Sequence, residues 1–388
     1  MKWELVLLVL TFIVSLVALI GMLENRRAIR AIVLERRRTS TARVEETESS
    51  VPSLQSDHGP VYVVYNPTKK ANWDQIRAEL SRVAHDASLP EPIWLETTAE
   101  DPGVSQTQQA IEAGASVVIA AGGDGTVRVV AEGLIHSGIP IGLLPVGTGN
   151  LLARNLNLPL DDIHQLATIA LTGANRKIDV GVLTVRKPSV ALPEHLRGEH
   201  NYVAEAGRYV FVVNSGMGLD AEIMAEAQAN QKLKDYLGWA AYVKAALPHI
   251  LAPKMKATIT TGRNGRPLKT DARTVMFLNC GELVGGIVLD ATAQADDGWI
   301  ELAIIDTKRG LIGWIDLLRR AGNQSRGQTS TEIPGIPAQA ALDVHRITQA
   351  SLETEHAHPV QVDGDVLGYT NRVHSQILPQ ALNVRVLR

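Results

Sequence analysis

The chain has 388 residues, 45% of them hydrophobic, with 38 basic and 41 acidic side chains and a formal net charge of −3. That balance places it among folded proteins, excludes collagen-like and wholly disordered classes, and leaves length for two domains. No basic field and few aromatics (6 Trp, 7 Tyr, 3 Phe) argue against a nucleic-acid partner, and the single cysteine, Cys280, excludes an internal disulfide and any Cys-rich zinc site.

Residues 5–23 run without a charge, broken only by the polar Thr11 and Ser15. As a helix they would reach about 28 Å, close to the roughly 30 Å hydrocarbon core, so one transmembrane helix is expected at 3–23. The run exceeds the apolar stretch of a cleaved signal peptide. Residues 24–44 carry seven arginines against two glutamates. The positive-inside bias then gives an expected location in the cell membrane, single-pass, with the remaining domains in the cytoplasm. Residues 24–59 read as a basic segment followed by a Ser-, Thr- and Glu-rich flexible linker.

Folded structure is expected from about residue 61. Strands at 61–65, 93–95, 117–120 and 141–144 alternate with helices at 73–87, within 105–113 and at 126–136, the pattern of a parallel sheet with crossover helices. Beyond Asp179 the texture changes to short β-rich runs with one helix near 235–250, which points to a second, mostly antiparallel β domain.

The most informative stretch is the apolar strand ending in Gly122-Gly123-Asp124-Gly125-Thr126 and opening a helix. Glycines allow close backbone approach to a ligand, and the following helix N-terminus offers free amides to phosphate oxygens. An aspartate inside a polyphosphate site calls for a divalent cation between them, so Asp124 points to a nucleotide with Mg²⁺. Neither the dinucleotide G-x-G-x-x-G nor the P-loop G-x-x-x-x-G-K-[ST] occurs. Two more polar loops, Asn66-Pro67-Thr68-Lys69-Lys70 and Pro145-Val146-Gly147-Thr148-Gly149-Asn150, follow strands of the same sheet, and ligands of open α/β sheets gather at such carboxyl ends.

With these motifs the sequence resembles the diacylglycerol kinase catalytic-domain family, lipid kinases that also include sphingosine and ceramide kinases. The resemblance extends over about residues 60–388 through Ile178-Asp179-Val180-Gly181, Asn214-Ser215-Gly216-Met217-Gly218-Leu219-Asp220-Ala221, Asp296-Asp297-Gly298 and Val362-Asp363-Gly364-Asp365. It implies an α/β nucleotide-binding domain at 60–178, a β-sandwich lipid-binding domain at 179–374, and a last strand within 375–388 returning to the first domain.

Carried over residue by residue, Gly122, Gly123, Gly125 and Thr126 would hold ATP phosphates, assisted by Asn66, Thr68, Thr148 and Asn150. Asp363 would be the base that accepts the lipid hydroxyl proton. Asp124 would join it in catalysis and, with Asp179, belong to a magnesium network, while Asp296 and Asp297 resemble a region where some relatives hold a structural metal. The implied cofactors are ATP and Mg²⁺. The implied partners are a diacylglycerol-like membrane lipid and the bilayer through the N-terminal helix, with a homodimer among the options and no nucleic acid. This chain departs from the family pattern at Leu151, where an acid often follows the Asn; at Arg128-Val129, where Asn-Glu is common; at Ala291, often Pro; and at Asp365, usually Glu. A non-catalytic nucleotide sensor or scaffold and an NAD kinase-like enzyme are the alternatives.

Overall fold

Four short apolar runs build the sheet edge that carries the glycine loops. In the computed structural model, which describes residues 59–190, 203–229, 254–262, 265–283, 288–290, 292–307 and 340–388, they are β1 (Val61–Tyr65), β2 (Ile93–Glu96), β3 (Val117–Gly122) and β4 (Ile141–Pro145). They pair in parallel in the spatial order β2–β1–β3–β4. β3 is buried along its whole length, as a central parallel strand covered on both faces must be.

The crossover helices present one apolar stripe each. α1 (Trp73–Asp86) starts where the Asn72 side chain accepts the Gln75 amide and buries Ile76, Leu80, Val83 and Ala84, positions one helical face apart. α2 (Val104–Glu112) lies against α3 (Asp124–Leu134). Gly133 allows that contact, because a Cβ there would sit 2.6 Å from Thr107 Cγ2. A five-residue helix, α4 (Leu151–Asn155), follows β4, and α5 (Ile163–Thr172), capped by Asp162 on the Gln165 amide, packs beside α1.

From Ala174 onward the strands pair antiparallel with one another. The strands are β5 (Ala174–Val185), β6 (Gly207–Phe211), β7 (Asn214–Gly218), β8 (Met255–Thr261), β9 (Leu268–Ala272), β10 (Thr274–Leu278), β11 (Ile300–Thr307), β12 (Ala340–Ile347), β13 (Gln349–Val362) and β14 (Asp365–Val386). Helix α6 (Leu219–Ala229) follows β7. The main path runs β12–β11–β10–β7–β13–β14 and then joins β4, where Val384 stands parallel to Ile141. One 14-stranded sheet therefore links the two halves. Register shifts in the β13–β14 ladder, between Glu353 and His358 and again at Val360, let β13 pair with β8 along its first part and with β7 at its end. A second core gathers Phe211, Met217, Val275, Phe277, Leu302, Leu352, Val360 and Val362, separate from the α/β core around Val63, Ile119, Leu143 and Val130.

The expected single-pass location in the cell membrane is corrected by this architecture. Among the described residues no helix is long and apolar enough to cross a membrane. The longest, α1, has 14 residues and keeps only one apolar face. The segments at 3–23 and 24–58, on which that expectation rested, and the helix expected near 235–250 lie outside the described residues.

Candidate active site

Three loops meet at the carboxyl ends of β1, β3 and β4, and their own polar groups fix each one. After β1, the Asn66 amide donates to the Ala121 carbonyl at 3.1 Å, while Asn66 Oδ1 accepts from Thr68 N at 3.0 Å and Thr68 Oγ1 at 2.7 Å. This Asx turn brings Lys69 over the glycine loop. A Cβ on Gly123 would lie 3.6 Å from Lys69 Nζ and 3.7 Å from the Gly147 Cα. After β4, Val146 N donates to the Gly122 carbonyl at 2.9 Å. Asn150, in the left-handed region at φ 52°, folds its amide back to accept from Gly147 N and donate to Gly147 O, both at 2.9 Å.

Gly123 caps α3 without a side-chain hydrogen bond, which leaves the first-turn amides for a ligand. Thr126 is buried against Gly122, whereas Thr68 and Thr148 are exposed at the mouth of the loops. Asp124 braces the arrangement: Oδ2 accepts from Asn150 N at 3.0 Å and Oδ1 from Leu151 N at 2.6 Å, so its carboxylate caps α4. Burial pushes the Asp124 carboxyl above its ordinary range, and those two amides oppose the shift.

The far half delivers a second carboxylate to this edge. Val362 and Asp365 close the β13–β14 hairpin, and Asp363 and Gly364 between them both have positive φ, 46° and 87°. That is a two-residue turn of the I′ kind, for which Asp-Gly is a favoured pair. Asp363 is 4% exposed. Its Oδ2 accepts from Val212 N at 2.8 Å and its Oδ1 from Val213 N and Asn214 N, both at 2.9 Å. Burial pushes Asp363 up to about 6, against the pull of the three amides and of Arg128. Behind the turn, Gln361 Nε2 donates to Asn214 Oδ1 at 2.7 Å and to Asp220 Oδ2 at 2.9 Å, while its Oε1 accepts from Gly364 N at 2.8 Å. The turn docks on α3: Arg128 donates from Nη2 to Asp365 Oδ2 at 2.8 Å, and that oxygen lies 3.2 Å from where a Gly125 Cβ would be.

The acidic residues do not converge into a cage. Asp179 is fully buried, with Oδ2 accepting from Gly298 N at 2.6 Å and Oδ1 from Gln380 N at 2.7 Å, which ties the acidic loop to β14. Asp296 forms a two-pronged pair with Arg176 at 2.8 Å on each prong. Asp297 Oδ1 accepts from Trp299 N at 3.1 Å. Among the described residues no group of three or more His, Cys, Asp or Glu is arranged to hold a metal ion. A magnesium ion carried by nucleotide phosphates and water needs only one or two protein carboxylates, and Asp124 beside the glycine loop fits that smaller requirement.

Glu301 was not singled out by sequence. It is fully buried, neither carboxylate oxygen has a hydrogen-bond partner among the described residues, and Arg346 Nε approaches Oε1 at 3.5 Å. Burial, with Asp297 and Asp290 nearby, pushes it up to about 7 from an ordinary 4.5. A carboxyl raised on folding stabilises the protein below its unfolded pKa and loses that contribution as pH rises through the folded one. Thermal midpoints should therefore fall between about pH 4.5 and 7 through this residue, and Glu301→Gln should flatten that part of the profile, as differential scanning fluorimetry would read.

The chain is similar to known lipid kinases. The diacylglycerol kinase catalytic domain matches residues 60–183 of the chain. A probable lipid kinase YegS-like of Pseudomonas aeruginosa is 27% identical over 286 residues, covering 71% of this chain and 83% of that one. Its counterpart in Chromohalobacter salexigens is 28% identical over 335 residues, 84% and 92% of the two chains. A diacylglycerol kinase of Bacillus subtilis is 24% identical over 251 residues, 63% and 72%. The crystal structure of a diacylglycerol kinase from Bacillus anthracis superposes with a TM-score of 0.55 at 19% identity over 84% of this chain and 96% of that one, a likeness of fold.

Proposed function

We propose that the protein is a kinase that transfers the γ-phosphoryl group of ATP to a hydroxyl of diacylglycerol or a related lipid, giving a phosphatidic-acid-type product. The observation that carries this reading is the meeting of Asp363, on a hairpin tip of the antiparallel half, with the glycine-loop end of α3 in the parallel half, through Asp365, Arg128 and Gly125.

The chain's own groups divide the work. The first-turn amides of α3 and the Lys69 ammonium hold the phosphates, and the backs of the three loops are locked by Asn66, Asn150 and Asp124. Asn66 and Asn150 act mainly on the backbone of their own loops, while Thr68 and Thr148 face the ligand side. Asp363 accepts the proton of the lipid hydroxyl as that oxygen bonds to the γ-phosphorus and the bond from phosphorus to the β–γ bridging oxygen breaks, leaving ADP. Magnesium, when bound, neutralises charge on the β- and γ-phosphates. The Asp363 carboxylate, near pKa 6, is ionised at neutral pH yet more basic than an ordinary aspartate.

Lys69→Ala should raise the KM for ATP about tenfold, the loss of one charged contact of roughly 1.5 kcal/mol, with a smaller change in kcat. An unchanged KM would remove Lys69 from the phosphate site. The reading itself is tested by supplying labelled ATP with separate dispersions of diacylglycerol, a sphingoid base and a polyprenol. Label on one of these lipids supports the kinase, whereas tight ATP binding with no labelled lipid supports the nucleotide sensor.

A further inference from the structure

Two residues of the cleft have no part in the steps above, and they are bonded to each other. Arg128, on the first turns of α3, and Asp365, closing the Asp363–Gly364 turn, meet at 2.8 Å across 237 positions of sequence. The Arg128 side chain is 15% exposed, and among the described residues its buried Nε has no hydrogen-bond partner. As a stability element such a pair is poorly made: a guanidinium removed from water and held by one hydrogen bond recovers little of its desolvation cost. Its place in the fold gives it a different use, since the Asp365 oxygen that holds it lies against Gly125 in the phosphate loop and two residues from the buried Asp363 carboxylate.

We propose that Arg128 is a positioning residue for phosphoryl transfer: clamped by Asp365, it keeps a fixed positive charge at the hairpin turn that carries Asp363, which favours the ionised form of that buried aspartate. The inference rests on the kinase reading for its consequence but not for its physics. The groups that face Asp363 divide by sign. The amides of Val212, Asn214 and Val213 favour the charged carboxylate, and Arg128 on α3 adds a smaller pull in the same direction. Asp365 on the same turn, Cys280 beyond β10, and Asp220 at the start of α6, reached through Gln361, supply no positive charge. Asp365 therefore has two opposed effects, because it holds the cation in place and partly neutralises it.

The test titrates Asp363 directly, by carbon-13 NMR of the aspartate carboxyls in the full-length protein, beside pH profiles of kcat/KM with labelled ATP and diacylglycerol. Arg128→Gln should move both the Asp363 titration and the acid limb upward by about half a pH unit, slowing transfer about twofold at pH 6. Arg128→Lys, which keeps the charge, should restore the wild-type position. Asp365→Asn, which unmasks the guanidinium, should move both downward. A lower activity in Arg128→Gln with titration and limb unmoved would overturn the proposal and leave Arg128 a tie between the two halves. If the wild type transfers no phosphate, the kinase reading fails, and the carboxyl titration still decides whether Arg128 controls Asp363.

Discussion

Asp363→Asn is expected to lower kcat by about 10²–10⁴-fold while leaving ATP affinity within a few-fold of wild type. The substitution removes the group that takes the hydroxyl proton but touches none of the loops around Gly123. It also has a structural cost: the Asn oxygen can keep the bonds from Val213 and Asn214 N, but the amide nitrogen that then faces Val212 N cannot accept. A thermal melt beside the kinetics separates the two, since a folded variant that binds ATP and does not transfer phosphate is the expected result. In the wild type the same residue sets the acid limb. With Asp363 raised to about 6, the rate should fall tenfold per pH unit below that value and level off above it. A limb near pH 4 would mean that the carboxylate is not the base or is far better solvated than its burial implies.

Gly147→Ala is expected to be as damaging through a different physical route. The added methyl would sit 2.7 Å from the Gly123 Cα and 3.0 Å from Asn150 Oδ1, and the first of these is backbone that cannot rotate away. The loops after β3 and β4 would have to separate, breaking either the Gly122–Val146 hydrogen bond or the folded amide of Asn150. A displacement of about 1 Å at a phosphate-binding loop can cost on the order of 10²-fold in turnover, and calorimetry should show ATP affinity falling with it. Overpacking costs about 1–3 kcal/mol of stability, so a stably folded variant with wild-type ATP affinity would show that the two loops do not form one cradle.

What the sequence makes legible here is what is local. The glycine loop is a strand, a turn and a helix in immediate succession, and β3 and α3 appear within two residues of where periodicity puts them. α5 has equally local signals, Asp162 as a cap followed by the buried Leu166, Ala167 and Ala170, and reading along the strands alone passes over it. The run at 214–218 is conspicuous as a glycine motif, yet in the fold it is β7, buried throughout, with Gly216 required because the Asp220 carboxylate stands where its Cβ would be.

The non-local part is harder to read. No spacing rule shows that Asp124 spends both oxygens on the amides of Asn150 and Leu151, or that Asp179 spends its pair on Gly298 and Gln380. Nor does any rule pair Arg128 with Asp365: each departs singly from the pattern of the resembling family, and only the long β13–β14 hairpin brings them together. Glu301 is similarly invisible, because the lack of a hydrogen bond to its oxygens among the described residues is a property of what surrounds it in space.

The role of Asp363 is decided by a single-turnover quench with γ-labelled ATP, Mg²⁺ and dispersed diacylglycerol, run with wild type and Asp363→Asn side by side. With Asp363 as the base, label should appear in a phosphatidic-acid-type product from the wild type and in a burst at least 10²-fold slower from the variant, with equal ATP bound. Equal rates of lipid labelling by the two proteins would contradict that role.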